Sequence, residues 1–183
     1  MACDLTRGRK EPCKENVGGI RAVYFTDFGD FGTVTQDADD QITDMSGTFT
    51  AYKYELKGNS SFEQAITSSR ENGTTFFDQT LNITFKKLSK EDNKEIKLMA
   101  YGRPHIAVED YNGNVFVMGL EHGCEVSGGT IVTGAAMADL SGYTLTFNAQ
   151  ELKPANFVDS PTAADPYDAM TSATVTVTVG TNS

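Results

Sequence analysis

Cations are scarce in this sequence. Fifteen Lys and Arg face 25 Asp and Glu across 183 residues, giving a formal charge of −10 and a pI near 4.6. A protein that grips nucleic acid needs clustered cations to displace counterions from phosphates, so repressor, nuclease and packaging roles are disfavoured. Long apolar runs are missing too: none approaches the roughly 20 residues of a membrane helix. The polar stretch from Met1 to Lys14 offers no segment that could serve as a signal peptide, so a protein made in and used from a cytoplasm is expected. Cysteine is limited to Cys3, Cys13 and Cys124. An odd number without a Cys-x-x-Cys pair argues against a disulfide scaffold and predicts free thiols throughout.

Catalytic signatures are also lacking. There is no Gly-x-Ser-x-Gly elbow, no phosphate-cradling Gly-Lys-Ser/Thr loop and no Gly-x-Gly-x-x-Gly after a strand. Asp27-Phe28-Gly29-Asp30-Phe31-Gly32 repeats the Asp-Phe-Gly triplet of kinases, but no His-Arg-Asp triplet accompanies it, and a turn with two buried Phe side chains is expected. Asp37, Asp39, Asp40 and Asp44 suggest calcium, yet Ile42 stands where an EF-hand requires Gly and Thr48 where it requires Glu. A solvated acidic loop is expected, with an irregular calcium site at Asp37 to Asp44 as the alternative. His122 and Cys124 would share one side of a strand, but two ligands do not make a structural metal site. The carboxylate pairs Glu109 with Asp110 and Glu121 with Glu125 are commonplace in an acidic chain. No enzyme activity, cofactor or metal is expected.

What is present is the composition of a folded protein, 39% hydrophobic, 10% aromatic and 22% charged. At this length one domain can bury roughly 70% of the surface its unfolded chain exposes. Residues 1–19 are charged and end in Gly18-Gly19, which reads as an extended N-terminal arm. Ile20 to Phe25 forms a short apolar strand, and Asp27 to Asp44 a long loop or broken hairpin. From Thr48, Phe49 and Ala51 point one way while Tyr52, Tyr54 and Leu56 point the other. Phe62 to Ser69 is a short strand or a helical turn, and Leu81, Ile83 and Phe85 alternate with Thr80, Asn82 and Thr84.

One helix stands out at about 89–101. Ser89 is a suitable N-cap with Asp92 three residues on, Ile96, Met99 and Ala100 recur at helical spacing, Gly102 suits a left-handed C-terminal position, and Pro104 forbids continuation. Ile106 to Glu109 and Val115 to Leu120 form a hairpin in which Asn112-Gly113 supplies positive φ angles. A Gly-rich, uncharged loop runs from Ser127 to Ser141, broken only by Asp139, before Tyr143, Leu145 and Phe147 alternate with Thr144 and Thr146. Residues 159–183 read as a Pro-, Ala- and Asp-rich linker followed by a Thr-Val strand in search of an edge. The sum is a mainly β fold, an antiparallel barrel or sandwich over residues 20–158 with one short flanking helix.

The block from about Leu81 to Val158 resembles the tail tube proteins of tailed bacteriophages. The features that carry the resemblance are Phe85-Lys86-Lys87-Leu88, the helix to Tyr101, Val108-Glu109-Asp110 with Asn112-Gly113, and Gly119-Leu120-Glu121-His122-Gly123. The Gly-rich loop, Leu140 to Phe147, and Pro154-Ala155-Asn156-Phe157 complete it. The resemblance implies a non-enzymatic virion protein, assembled in the host bacterial cytoplasm without membrane contact. Six copies would form a ring, rings would stack into a tube joined to other tail or head proteins, and DNA would pass as a non-adhering passenger. A ring of six multiplies the negative charge sixfold, and a negative inner wall lets DNA slide. Glu109 and Asp110 are the candidate lumen-facing residues, and Gly128, Gly129, Gly134, Asp139 and Gly142 the candidate inter-subunit loop. Val175, Val177 and Val179 form the candidate docking strand. Two alternatives stay open: a head decoration or head-completion protein, or a monomeric β-barrel binding module with a cavity lined by Leu81, Ile83, Phe85, Tyr143, Leu145 and Phe147.

Overall fold

A computed structural model describes residue 5 and residues 7–180. In chain order the strands are β1 (Ile20–Thr26), β2 (Val34–Gln36), β3 (Ile42–Met45), β4 (Thr48–Glu55), β5 (Ser61–Ser69) and β6 (Thr74–Lys86). The helix α1 (Lys90–Tyr101) follows, then β7 (His105–Asp110), β8 (Val115–Met118), β9 (Glu125–Val132), β10 (Gly142–Glu151), β11 (Asn156–Phe157) and β12 (Thr174–Val179). They build a six-stranded sheet in the order β11-β8-β7-β1-β4-β12, a four-stranded sheet in the order β5-β6-β10-β9, and the small β2-β3 ribbon. The mainly β sandwich with one short helix is therefore the observed fold.

The six-stranded sheet is covered on both faces, so β1 and β7 are buried almost throughout. Alternation divides β1: Val23 and Phe25 enter a first cluster with Leu81, Ile83, Ile106, Tyr143 and Phe147, between the two large sheets. Ala22 and Tyr24 point the other way, into a second cluster with Phe49, Ala51, Phe31, Ile42 and Tyr167. The expected two-faced strand at Thr48 behaves the same way, with Phe49 and Ala51 in the second cluster and Leu56 in the first. The inward residues of the barrel-module alternative are thus packed core.

Local chemistry sets the helix. The Ser89 hydroxyl accepts from the Asp92 amide at 3.0 Å, and the Tyr143 hydroxyl donates to the Ser89 carbonyl at 3.0 Å, fastening the helix start to β10. Ile96 and Met99 are buried, while Leu98 and Tyr101 are exposed. Gly102 is extended, with φ −86° and ψ 179°, so the expected left-handed cap is absent; its amide still donates to the Leu98 carbonyl at 2.8 Å.

The hairpin between β7 and β8 also differs in detail. Gly113 alone has positive φ, at 83°, and Asn112 does not. The Asp110 carboxylate closes the turn by accepting from the amides of Asn112 and Asn114 at 2.9 and 2.8 Å. The Asn112 side chain reaches back to the arm instead: it accepts from the Val17 amide at 2.9 Å and donates to the Val17 carbonyl at 2.7 Å, pinning the arm at its base. The described arm residues before it are exposed.

Three expectations about the second half of the chain are corrected. The span from Ser127 is strand β9 as far as Val132, paired with β10, and only residues 133–141 form a loop. Glycines have no side chain to show alternation, and this hid the strand. Residues 159–173 are not a linker, because Tyr167 and Met170 are buried in the second cluster. Finally, β12 is not in search of an edge: it pairs in parallel with β4, Val175 against Phe49, Val177 against Ala51 and Val179 against Lys53.

Candidate functional site

Glu109, expected at the rim of a passage, is 3% exposed. Its carboxylate accepts from the Tyr24 hydroxyl at 2.9 Å and pairs with the Arg21 guanidinium at 3.2 Å. Glu109 is therefore a structural anchor between β7 and β1. Asp110 is partly exposed but occupied by its turn. Of the residues assigned to an inter-subunit loop, Gly128 and Gly129 lie inside β9 and Gly142 opens β10. Gly134 and Asp139 do sit in the loop, where the Asp139 carboxylate accepts from the amides of Ala135 and Ala136 at 2.9 and 2.7 Å.

The acidic loop is structural as well. Asp37 accepts from the amides of Asp39 and Gln41, both at 2.9 Å, and Asp40 takes the Lys153 ammonium at 2.7 Å. Asp44 binds the Ser172 amide at 3.1 Å and its hydroxyl at 2.7 Å, and the Ser172 hydroxyl holds the Asp44 carboxyl below the usual range. These bonds tie the loop to two later segments, and the carboxylates do not converge on an ion site among the described residues.

His105 is sandwiched between Phe31 at 4.4 Å and Phe28 at 5.0 Å. Phe31 is buried as expected, but Phe28 is partly exposed and carries the Arg103 guanidinium over its ring at 4.2 Å. Nε2 of His105 accepts from the Gly29 amide at 3.1 Å, so Nδ1 carries the proton and donates to the Gly119 carbonyl at 2.7 Å. Burial lowers the pKa of this imidazole. Burial raises those of Tyr24, which also donates to the Glu109 carboxylate, and of Tyr167. Tyr54 is pushed up to about 12 by burial, then by Glu95 and Asp92.

These groups predict a stability dome. Below the unfolded histidine value of 6.5 the unfolded chain takes up a proton that folded His105 refuses, so stability falls with pH. Above 10.0 the unfolded tyrosines release protons that folded Tyr24, Tyr54 and Tyr167 retain, so stability falls as pH rises. Urea melts across pH 4 to 12 should show both flanks; a flat profile above about pH 10 would refute the tyrosine assignment.

The four-stranded sheet turns one face away from the core. Its inward side chains enter the first cluster, and Thr80, Asn82, Thr144, Thr146, Asn148 and Gln150 alternate onto the opposite face. They are cross-linked there: Thr130 to Thr144 at 2.6 Å, Thr146 to Asn82 at 2.8 Å, and Ser127 to Asn148 at 2.8 Å. Lys86 is the only Lys or Arg in these four strands, whereas Glu63, Asp78, Glu125 and Glu151 are acidic. Its outer strands, β5 and β9, each have one unpaired edge among the described residues. Ile66 on β5 is 69% exposed and Ile131 on β9 57% exposed, although both stand on the core side of the sheet.

Beside one end of this sheet lies an open polar cleft of about 400 Å³ lined by Asp78, Arg103, His122, Glu125, Ser127 and Gln150, among others. His122 pairs with Glu151 rather than with Cys124, which is fully buried with its thiol pKa raised by burial. Cys13 and Cys124 are free as expected, and Cys3 lies outside the described residues. Sequence reasoning missed the grouping of Glu121, His122 and Glu151, because Glu151 is 29 residues from His122. No protein-family model, curated protein or solved structure matches this chain.

Proposed function

We propose that this chain is a non-enzymatic ring-forming subunit of a phage virion, of the tail tube kind, joined to its neighbours through β9 of one copy and β5 of the next. The observation that carries the reading is the four-stranded sheet, open at both edges with a core-side isoleucine exposed on each. Neighbouring strands in it are antiparallel, so β5 and β9 run in opposite directions. A copy rotated about a ring axis then presents β5 antiparallel to β9, and repetition closes the sheet into a barrel with no free edge. The hydroxyl- and amide-rich face would line the passage, and its low cation content suits a wall past which DNA slides. The lumen role thereby moves from Glu109 and Asp110 to this face. The capsid-docking alternative relied on an isolated C-terminal strand; β12 is instead an edge strand of the six-stranded sheet, paired on one side with β4.

Purified protein at high concentration should form rings or tubes visible by negative-stain electron microscopy. Ile66→Lys with Ile131→Lys places charges on the core side of both edges, a device that blocks strand pairing between molecules. The variant should remain a monomer with melting changed by no more than about 0.5 kcal/mol, because both sites are exposed. A wild-type protein that stays a 19.8 kDa monomer at every concentration would overturn the reading.

A further inference from the structure

We infer that Glu121, His122 and Glu151 form a binding site for a single divalent cation of the zinc type. Each residue places a ligand-capable atom within 4.8 Å of the other two. One imidazole nitrogen with two carboxylate oxygens is a borderline donor set, suited to zinc, whereas calcium and magnesium favour all-oxygen cages.

The buried member is pre-positioned. The Glu151 side chain is 5% exposed, and its Oε1 accepts from the amides of Glu121 and His122 at 3.1 and 2.9 Å. That leaves Oε2 facing His122 Nδ1 at 3.0 Å. In a tetrahedral site with bonds of about 2.0–2.1 Å, adjacent donor atoms stand roughly 3.3 Å apart. The two atoms already have nearly that spacing, and an ion bound to both would displace the proton between them. The turn that carries Glu121 and His122 is the one whose amides hold Glu151, so two donors are fixed relative to the third by backbone.

Charge and surroundings argue the same way. Among the described residues the side chain paired with the buried Glu151 is a histidine that is 61% exposed, not a Lys or Arg, and a second carboxylate, Glu121, stands beside it. A divalent cation balances both carboxylates, which one imidazole cannot. His122 also opens on the 400 Å³ cleft, which gives the ion a route of entry. Asp78 lines the same cleft, and its Oδ1 is buried without a hydrogen-bond partner among the described residues.

The site does not depend on ring formation, and the test uses the full chain as monomer or assembly. After chelator treatment, titration calorimetry with zinc should give one ion per chain, with no displacement by excess calcium. His122→Ala and Glu121→Gln, both at exposed positions, should each weaken binding by at least about tenfold while the circular dichroism spectrum stays unchanged. Absence of binding, or unchanged affinity in either variant, overturns the site. The second result would put the ion elsewhere, for example on the thiol of the exposed Cys13.

Discussion

Glu109→Lys is expected to lower stability by about 3–5 kcal/mol, the penalty for leaving a buried charge without its partner. The new ammonium would face the Arg21 guanidinium and the Tyr24 hydroxyl in place of the carboxylate that binds both. Against a typical total of about 5–15 kcal/mol, that removes about a fifth or more of the stability. Glu109→Gln should be milder, since an amide oxygen can still accept from Tyr24. Asp110→Lys should lose only the bonds of an exposed turn, about 1 kcal/mol. Urea melts of the three variants would rank them. If Glu109→Lys melted like the unsubstituted protein, the carboxylate would have to face solvent, as its place next to a turn suggests.

Tyr167→Ala should have a comparable effect, about 3–5 kcal/mol. The ring is 1% exposed, stands at 90° to Phe49 with centroids 5.2 Å apart, and lies 6.0 Å from Phe31. Removing it empties the centre of the second cluster and unfastens residues 159–173 from the sheet they cover. Tyr167→Phe should be neutral or slightly stabilising, because the hydroxyl is buried near that of Thr26 without a well-formed hydrogen bond to it. The pair separates packing from polarity: equal losses in both variants would mean that the hydroxyl, not the ring, holds the strap.

Much of the fold was written in local pattern. The alternation at Thr80 to Phe85 and at Tyr143 to Phe147, and the capping signals of Ser89 and Asp92, need no distant partner to be read. What could not be read depended on residues far apart in the chain. Glu109 looks like a turn carboxylate until Tyr24, 85 positions earlier, supplies its hydrogen bond. The strap at 159–173 has the composition of a linker, and the burial of Tyr167 and Met170 says otherwise. In β9, Gly128 and Gly129 erase the two-residue period, and the bulge at Ser127, opposite Thr146 and Phe147, shifts it again. The cation site was invisible for the same reason as Glu109: the turn at Glu121 and His122 meets Glu151 only once β10 is in place.

The parallel pairing of β12 with β4 has a consequence for synthesis. At about 5–20 residues per second, residue 174 leaves the ribosome on the order of ten seconds after residue 48. Until then β4 presents a bare edge beside a half-built cluster. A nascent chain arrested before Thr174 should be readily digested by protease at β4, and the emergence of residues 174–179 should be the step that makes it resistant.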